Sequence, residues 1–62
     1  MSYILLVRVR YSVREPDGYI TEESEVEEYD GDVYEDMQQA EEALARAKAL
    51  NPHAEIWIGE RG

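Results

Sequence analysis

The sequence predicts one α+β domain, residues 1–62, in which two strands are followed by a helix and a third strand. Three patterns favour this ββαβ order: an alternating segment that runs into a Pro-Asp-Gly turn, a segment with apolar residues at three- and four-residue spacing, and a second short alternating segment. Because the first strand is the most apolar, we expect it at the centre of a three-stranded, hairpin-based sheet in the order 2-1-3, antiparallel to both neighbours. One helix should pack on one face of this sheet.

The first two strands are predicted at residues 3–14 and 19–29. In the first, tyrosine and aliphatic residues alternate with arginine and serine, which is typical of a half-buried strand. The turn Pro16-Asp17-Gly18 is a strong hairpin signal, since proline presets the first turn corner and glycine supplies the positive φ of a following bulge. The return strand is rich in glutamate, which strands disfavour, so we infer it from the hairpin rather than from propensity.

The hairpin register follows from pairing the residue before the turn with its glycine. This sets Arg10 opposite Glu23 and Arg8 opposite Glu25, and cross-strand ion pairs of this kind favour one register over its neighbours. The same register turns Glu22 and Glu28 of the edge strand toward the core. Inward charges on an edge strand can discourage edge-to-edge aggregation. The alternative is a second bulge near Glu22-Glu23.

A helix is predicted at residues 33–50, followed by a strand at 54–59. Asp32 and Glu35 have the spacing of a capping box, and Asn51-Pro52 ends the helix. In the last strand, side chains should alternate between the helix and the opposite side of the sheet, and the tail from residue 60 should be frayed. The expected helix-facing residues are Met37, Ala40, Ala43, Leu44, Ala47, Leu50, Ile56 and Ile58.

The sheet face away from the helix is predicted to carry an apolar patch. Nothing in the chain is left to cover this patch, so it is a candidate surface for self-association, and Trp57 could instead stack on Arg8 or Arg10. The patch consists of Ile4, Leu6, Tyr29 and Trp57.

The charge is strongly one-sided, with fifteen acids, six bases and a formal net charge of −9. Thirteen acids and no lysine or arginine fall between residues 15 and 42. Such a chain would repel phosphates, which argues against direct binding of nucleic acid or of anionic membranes and favours a basic protein partner. The alternative is a solvated edge strand and helix start with no partner. The candidate binding residues are Glu22, Glu23, Glu25, Glu27, Glu28, Asp30, Asp32, Glu35 and Asp36.

Other function classes find little support in the residues. The chain has no cysteine, no apolar run of membrane-spanning length and no signal-peptide pattern, so we expect a cytoplasmic protein. The cluster around Asp30-Gly31-Asp32 departs from the EF-hand loop, because Tyr34 and Glu35 replace a ligand and the turn glycine. His53 is expected in an exposed loop with no nucleophile near it. We therefore predict no catalytic residue, no cofactor and no metal.

The order of the elements and the helix-to-strand passage Ala43–Pro52 resemble small phage and bacterial domains. The acidic run from Glu22 to Asp36 is similar to that of phage-encoded inhibitors, including anti-CRISPR proteins and DNA mimics. This resemblance implies a non-enzymatic inhibitor that occupies the basic nucleic-acid-binding surface of another protein. The alternative is a structural scaffold, homo-oligomeric or designed de novo, whose contact is the apolar patch.

Overall fold

The computed structural model describes residues 1–61, and its elements are β1 (Ser2–Arg14), β2 (Ile20–Glu28), α1 (Met37–Leu50) and β3 (Glu55–Arg61). The sheet order is β2-β1-β3, with β1 antiparallel to both neighbours. The helix packs on one face, against β1 and β3. This confirms the predicted ββαβ architecture. The molecule is long and flat, with extents of 48 × 26 × 12 Å.

The turn between β1 and β2 contains the predicted glycine bulge. Gly18 has φ +93°, and its N–H donates to the carbonyl of Glu15 at 3.0 Å. The N–H of Glu15 in turn donates to the carbonyl of Tyr19 at 2.8 Å. Gly18 and Tyr19 therefore both lie opposite the single residue Glu15, as in a three-residue hairpin loop with a glycine bulge.

This bulge shifts the register by one residue from the predicted one. Arg8 lies opposite Val26 and Arg10 opposite Ser24, so the predicted pairs of Arg8 with Glu25 and of Arg10 with Glu23 are wrong. The prediction recognised the bulge but did not count its extra residue. Both arginines instead pair with the carboxylate of Glu55 in β3. Nε of Arg8 lies 3.2 Å from Oε2 of Glu55, and Nη2 of Arg10 lies 2.5 Å from Oε1.

The shifted register also exchanges the faces of β2. Glu22 and Glu28 lie on the side away from the helix, not toward the core, and the continuous pairing leaves no second bulge at Glu22. Tyr29 was expected on the outer side. Its N–H instead donates to the carbonyl of Leu5, its ring packs against the core, and its hydroxyl accepts from Nδ2 of Asn51 at 2.8 Å. Tyr29 therefore ties the end of α1 to the sheet.

The core is small because the helix contributes alanines. Within residues 1–61, Leu5 is the one large side chain that is fully buried, and Leu50, expected in the core, is 78% exposed. The chain exposes 4815 Å², whereas a compact protein of this mass exposes about 4,100 Å². The additional surface agrees with the flat shape. The buried residues are Leu5, Ala40, Ala43, Ala47 and Ile56.

The helix begins four residues later than predicted. Asp36, not Asp32, is the N-cap, and its Oδ1 accepts from the N–H of Gln39 at 2.8 Å. The preceding residues are held in extended form because Tyr34 exchanges two backbone hydrogen bonds with Tyr3. At the other end of the chain, β3 continues to residue 61, so the predicted fraying is wrong for Glu60 and Arg61, and Gly62 lies outside the described residues.

The position of the cap predicts a difference between two aspartates. Asp36→Ala removes the acceptor for a first-turn N–H and should lower the free energy of unfolding by about 1 kcal/mol. Asp32→Ala makes the same chemical change four residues earlier and should cost clearly less. Urea denaturation of both variants measures this, and an equal loss from both would contradict the assigned start of α1.

Candidate functional site

The hairpin extends beyond the rest of the sheet as a two-stranded arm. The last pair between β1 and β3 is Arg8 with Glu55, so residues 9–14 have no neighbour on that side. The helix does not contact β2. Every residue of β2 is exposed. The arm therefore presents both faces to solvent.

The predicted acidic residues are all exposed, but the structure does not bring them together on one surface. Since strand side chains alternate, β2 divides its glutamates between two faces. Two more acids lie in the loop after β2, and two directly precede α1. Glu22 and Glu28 are on the outer face; Glu23, Glu25 and Glu27 are on the helix side; Asp30 and Asp32 are in the loop; Glu35 and Asp36 precede the helix.

The helix side of the arm carries three exposed glutamates that form no ion pair within residues 1–61. Glu23, Glu25 and Glu27 form a row in which neighbouring carboxylates are attached about 6.8 Å apart, two residues along a strand. No strand residue on this side is basic. The row lies beside apolar residues of β1 that are about 38% exposed. We call this surface the acidic hairpin face; it comprises Val9, Tyr11, Val13, Glu23, Glu25 and Glu27.

Tyr11 is at the centre of the acidic hairpin face and holds two of its carboxylates. Its hydroxyl lies 3.1 Å from Oε1 of Glu25 and 3.3 Å from Oε2 of Glu23. These hydrogen bonds, with that to Glu25 the stronger cause, and the nearby negative charges raise the pKa of Tyr11. The tyrosine therefore stays a neutral donor that orders two like charges side by side.

The outer face of the sheet, by contrast, has charges of both signs. Arg8 and Arg10 share Glu55, and Arg61 lies 3.7 Å from Glu28. The guanidinium of Arg8 is 5.8 Å from the centroid of the Trp57 ring, which is the stacking considered from the sequence. A shallow groove on the arm also mixes the two signs. It is lined by Arg8, Arg10, Tyr11, Ser12, Glu22, Glu23 and Ser24.

Three of the four predicted patch residues do lie together on the outer face. Leu6 is opposite Trp57, and Ile4 is opposite Gly59. The side chain of Leu6 covers Gly59, and a Cβ added to Gly59 would lie 2.6 Å from Cδ1 of Leu6. All three apolar side chains are half-buried. Tyr29 is excluded from this patch because it faces the helix.

The loop after β2 is organised by Asp30 as a turn. Its Oδ1 accepts from the N–H of Asp32 at 3.0 Å, its Oδ2 accepts from the hydroxyl of Tyr34 at 2.8 Å, and Gly31 has φ +74°. Both carboxylate oxygens of Asp30 thus have partners within the chain. Among residues 1–61, no three His, Cys, Asp or Glu side chains gather where they could hold a metal ion.

The hydrogen bond to Asp30, aided by burial and by the charges of Asp30 and Asp32, raises the pKa of Tyr34 to about 12. The neutral phenol is favoured in the folded state, so its contribution to stability is complete below pH 10 and is lost as pH rises from 10 toward 12. Asp30→Asn should lower this pKa, whereas Glu35→Gln should not. Phenolate absorbance, compared with that of Tyr34→Phe, measures it; a Tyr34 transition near 10 in the wild type would contradict this assignment.

The acids were identified from the sequence, but two residues that bind charged side chains, Tyr11 and Glu55, were missed. Tyr11 was assigned only to the apolar face of β1, because the predicted register did not place it beside Glu23 and Glu25. Glu55 was given no role, although it binds both arginines. Correct counting of the glycine bulge would have found Tyr11. His53 lies exposed in the turn before β3.

The sequence matches no protein-family model and no curated protein, and the fold matches no solved structure. Within residues 1–61, no helix is both long enough and apolar enough to cross a membrane.

Proposed function

We propose that the chain is a non-enzymatic binding protein whose acidic hairpin face occupies a basic surface of another protein. The observation that carries this proposal is the exposed row of Glu23, Glu25 and Glu27, with no basic strand residue on its side. Folding alone does not require such a row, since like charges close together on a strand repel one another. A cationic partner would remove that repulsion.

The chemistry of the face supports a nucleic-acid-binding groove as the partner surface. The repeat of about 6.8 Å between its carboxylates is similar to the step between phosphates along an extended strand of nucleic acid. A surface built to neutralise phosphates would therefore meet regularly spaced negative charges. The arginines of β1 do not compete, since they lie on the opposite face and pair with Glu55.

The apolar part of the face supplies a second kind of contact. Val9 and Tyr11 are each 38% exposed beside the glutamates. A tyrosine already held by two carboxylates offers an ordered ring for an arginine to stack on while its guanidinium meets Glu23 or Glu25. An inhibitor of the phage-encoded, DNA-mimicking kind, which the sequence resembles, would act in this way.

The test is affinity capture by the immobilised chain from a nuclease-treated bacterial lysate at rising salt. We expect capture of a basic, nucleic-acid-binding protein, with release by salt above physiological ionic strength and by an added duplex oligonucleotide. Release by the oligonucleotide would show that the chain and nucleic acid occupy the same surface. If no basic protein is retained even at low ionic strength, the proposal is wrong.

A further inference from the structure

The free edge of β3 is a second surface that the fold leaves unpartnered. Residues opposite one another in an antiparallel pair alternate between hydrogen-bonded and non-hydrogen-bonded positions. Leu5 accepts from Tyr29, which is on the β2 side, so the even-numbered residues of β1 bond to β3. The backbone groups of Ile56, Ile58 and Glu60 therefore point outward, away from β1.

The two edges of the sheet differ in their ability to pair with another chain. β2 is protected, because five of its nine residues are glutamates and a second β2 would set like charges together. β3 has no proline, lysine or bulge, its three charged residues carry both signs, and its second to fourth residues are Ile56, Trp57 and Ile58. Such an apolar edge is a template for strand addition.

We propose that β3 pairs antiparallel with β3 of a second copy, about a two-fold axis at Ile58. This proposal is independent of the binding of a basic protein at the other edge. In this register all seven residues of β3 are paired. Glu55 lies opposite Arg61 of the second copy, and Trp57 lies opposite its Gly59. Glu55, which pairs with Arg8 and Arg10 of its own chain, is thus brought opposite a residue of the other sign, and the two-fold axis makes this juxtaposition appear twice.

The position of α1 fits the same symmetry. The helix contacts β1 and β3 about equally, so its axis lies above the space between them. With strands about 4.8 Å apart, the two helix axes would be about 10 Å apart across the two-fold axis, which is the usual distance between packed helices. The resulting six-stranded sheet would carry two adjacent antiparallel helices on one face.

The flank of α1 that faces the free edge is also self-complementary. On the other flank, Arg46 and Leu50 border a cavity with Tyr29 and Tyr34, on the β2 side. A short turn joins the end of α1 to the start of β3, so the helix and the strand run in opposite directions. Their lengths are similar, about 21 Å for α1 and about 24 Å for β3, so the middle of α1 lies level with Ile58. The residues of the flank that faces the free edge are four, three and four positions apart, a spacing typical of contacts between helices. It consists of Met37, Glu41, Leu44 and Lys48.

In antiparallel helices related through this midpoint, Glu41 of one copy lies near Lys48 of the other. Both residues are exposed, and neither side chain forms a hydrogen bond or ion pair within residues 1–61. Leu44 of each copy would meet at the centre. The helix pair thus repeats the pattern of the strand pair, with an apolar centre flanked by opposite charges.

Sedimentation equilibrium of charge variants tests the helix contact. Glu41→Lys and Lys48→Glu should each weaken dimerisation about fivefold, because two exposed ion pairs are lost, and the double exchange should restore it. Glu42→Lys makes the same change of charge on the solvent side of α1 and should leave the dimer unchanged. A chain that stays monomeric at all concentrations, or a dimer whose dissociation constant is unchanged by Glu41→Lys, would overturn the proposal.

Disulfide formation tests the strand register without interference, because the natural chain has no cysteine. Opposite residues at non-hydrogen-bonded positions have Cα atoms about 4.5 Å apart, which a disulfide can span. A mixture of Glu55→Cys and Arg61→Cys chains should oxidise to a dimer, and neither variant should do so alone. A dimer whose mixture cross-links no better than the single variants would overturn this register and place the contact on the outer patch instead.

Discussion

Leu5→Ala is expected to remove most of the stability of this domain. Leu5 is 1% exposed, and the buried helix residues of its cluster, Ala43 and Ala47, are too small to fill the space it leaves. Truncation of a buried leucine costs about 2–5 kcal/mol, and a domain of this length has roughly 3–9 kcal/mol in total. The variant should therefore be largely unfolded or close to its midpoint at room temperature.

The matched control is Leu50→Ala, which makes the same chemical change at a residue that is 78% exposed. Its effect on the free energy of unfolding should be within about 0.5 kcal/mol. Urea denaturation followed by Trp57 fluorescence measures both variants. If the two leucines contribute equally, the core assigned to the β1, β3 and α1 interface is wrong.

Neutralising the acidic hairpin face is expected to have the largest effect on binding. The triple variant Glu23→Gln, Glu25→Gln and Glu27→Gln should lower affinity for the captured basic protein at least about tenfold at low salt and should flatten the salt dependence. The fold should be retained, because these side chains are exposed. Isothermal titration at three ionic strengths measures both quantities.

A second triple variant controls for net charge. It removes three negative charges from exposed positions that lie away from the arm and outside the proposed contacts of β3 and α1: Asp32→Asn, Glu35→Gln and Glu42→Gln. Its affinity should fall much less, since long-range attraction between exposed charges is screened beyond about 10 Å. Equal losses from the two triple variants would mean that only the total charge matters and that the hairpin face is not the site.

The fold could be predicted from the sequence because each element carries its own periodicity. The alternation in β1 and β3 and the Pro-Asp-Gly turn are local signals, and they fix the order of the strands. The helix start could not be found in this way. Asp32 and Asp36 both precede a capping-box residue, and the choice between them depends on Tyr34 pairing with Tyr3, a contact across thirty-one positions.

The candidate site depended on a single residue of register. A shift of one residue exchanges the two faces of a strand, so the glycine bulge decided on which face of the sheet each set of glutamates lies and which residues of β1 lie beside it. The charge pairs that favoured the other register were misleading, since Arg8 and Arg10 find a better partner in Glu55, which is distant in sequence. The separation of these acids into two sets followed from the alternation of the strand, but the face of the sheet that each set occupies did not.

The most direct test of the central claim is to map where the basic partner contacts the chain. Amide chemical shifts should be recorded while the purified partner is added to the isotope-labelled chain. We expect perturbations concentrated in residues 9–13 and 21–27, with side-chain changes at Tyr11. Perturbations confined to the outer patch around Trp57 or to α1, with none in the arm, would contradict it.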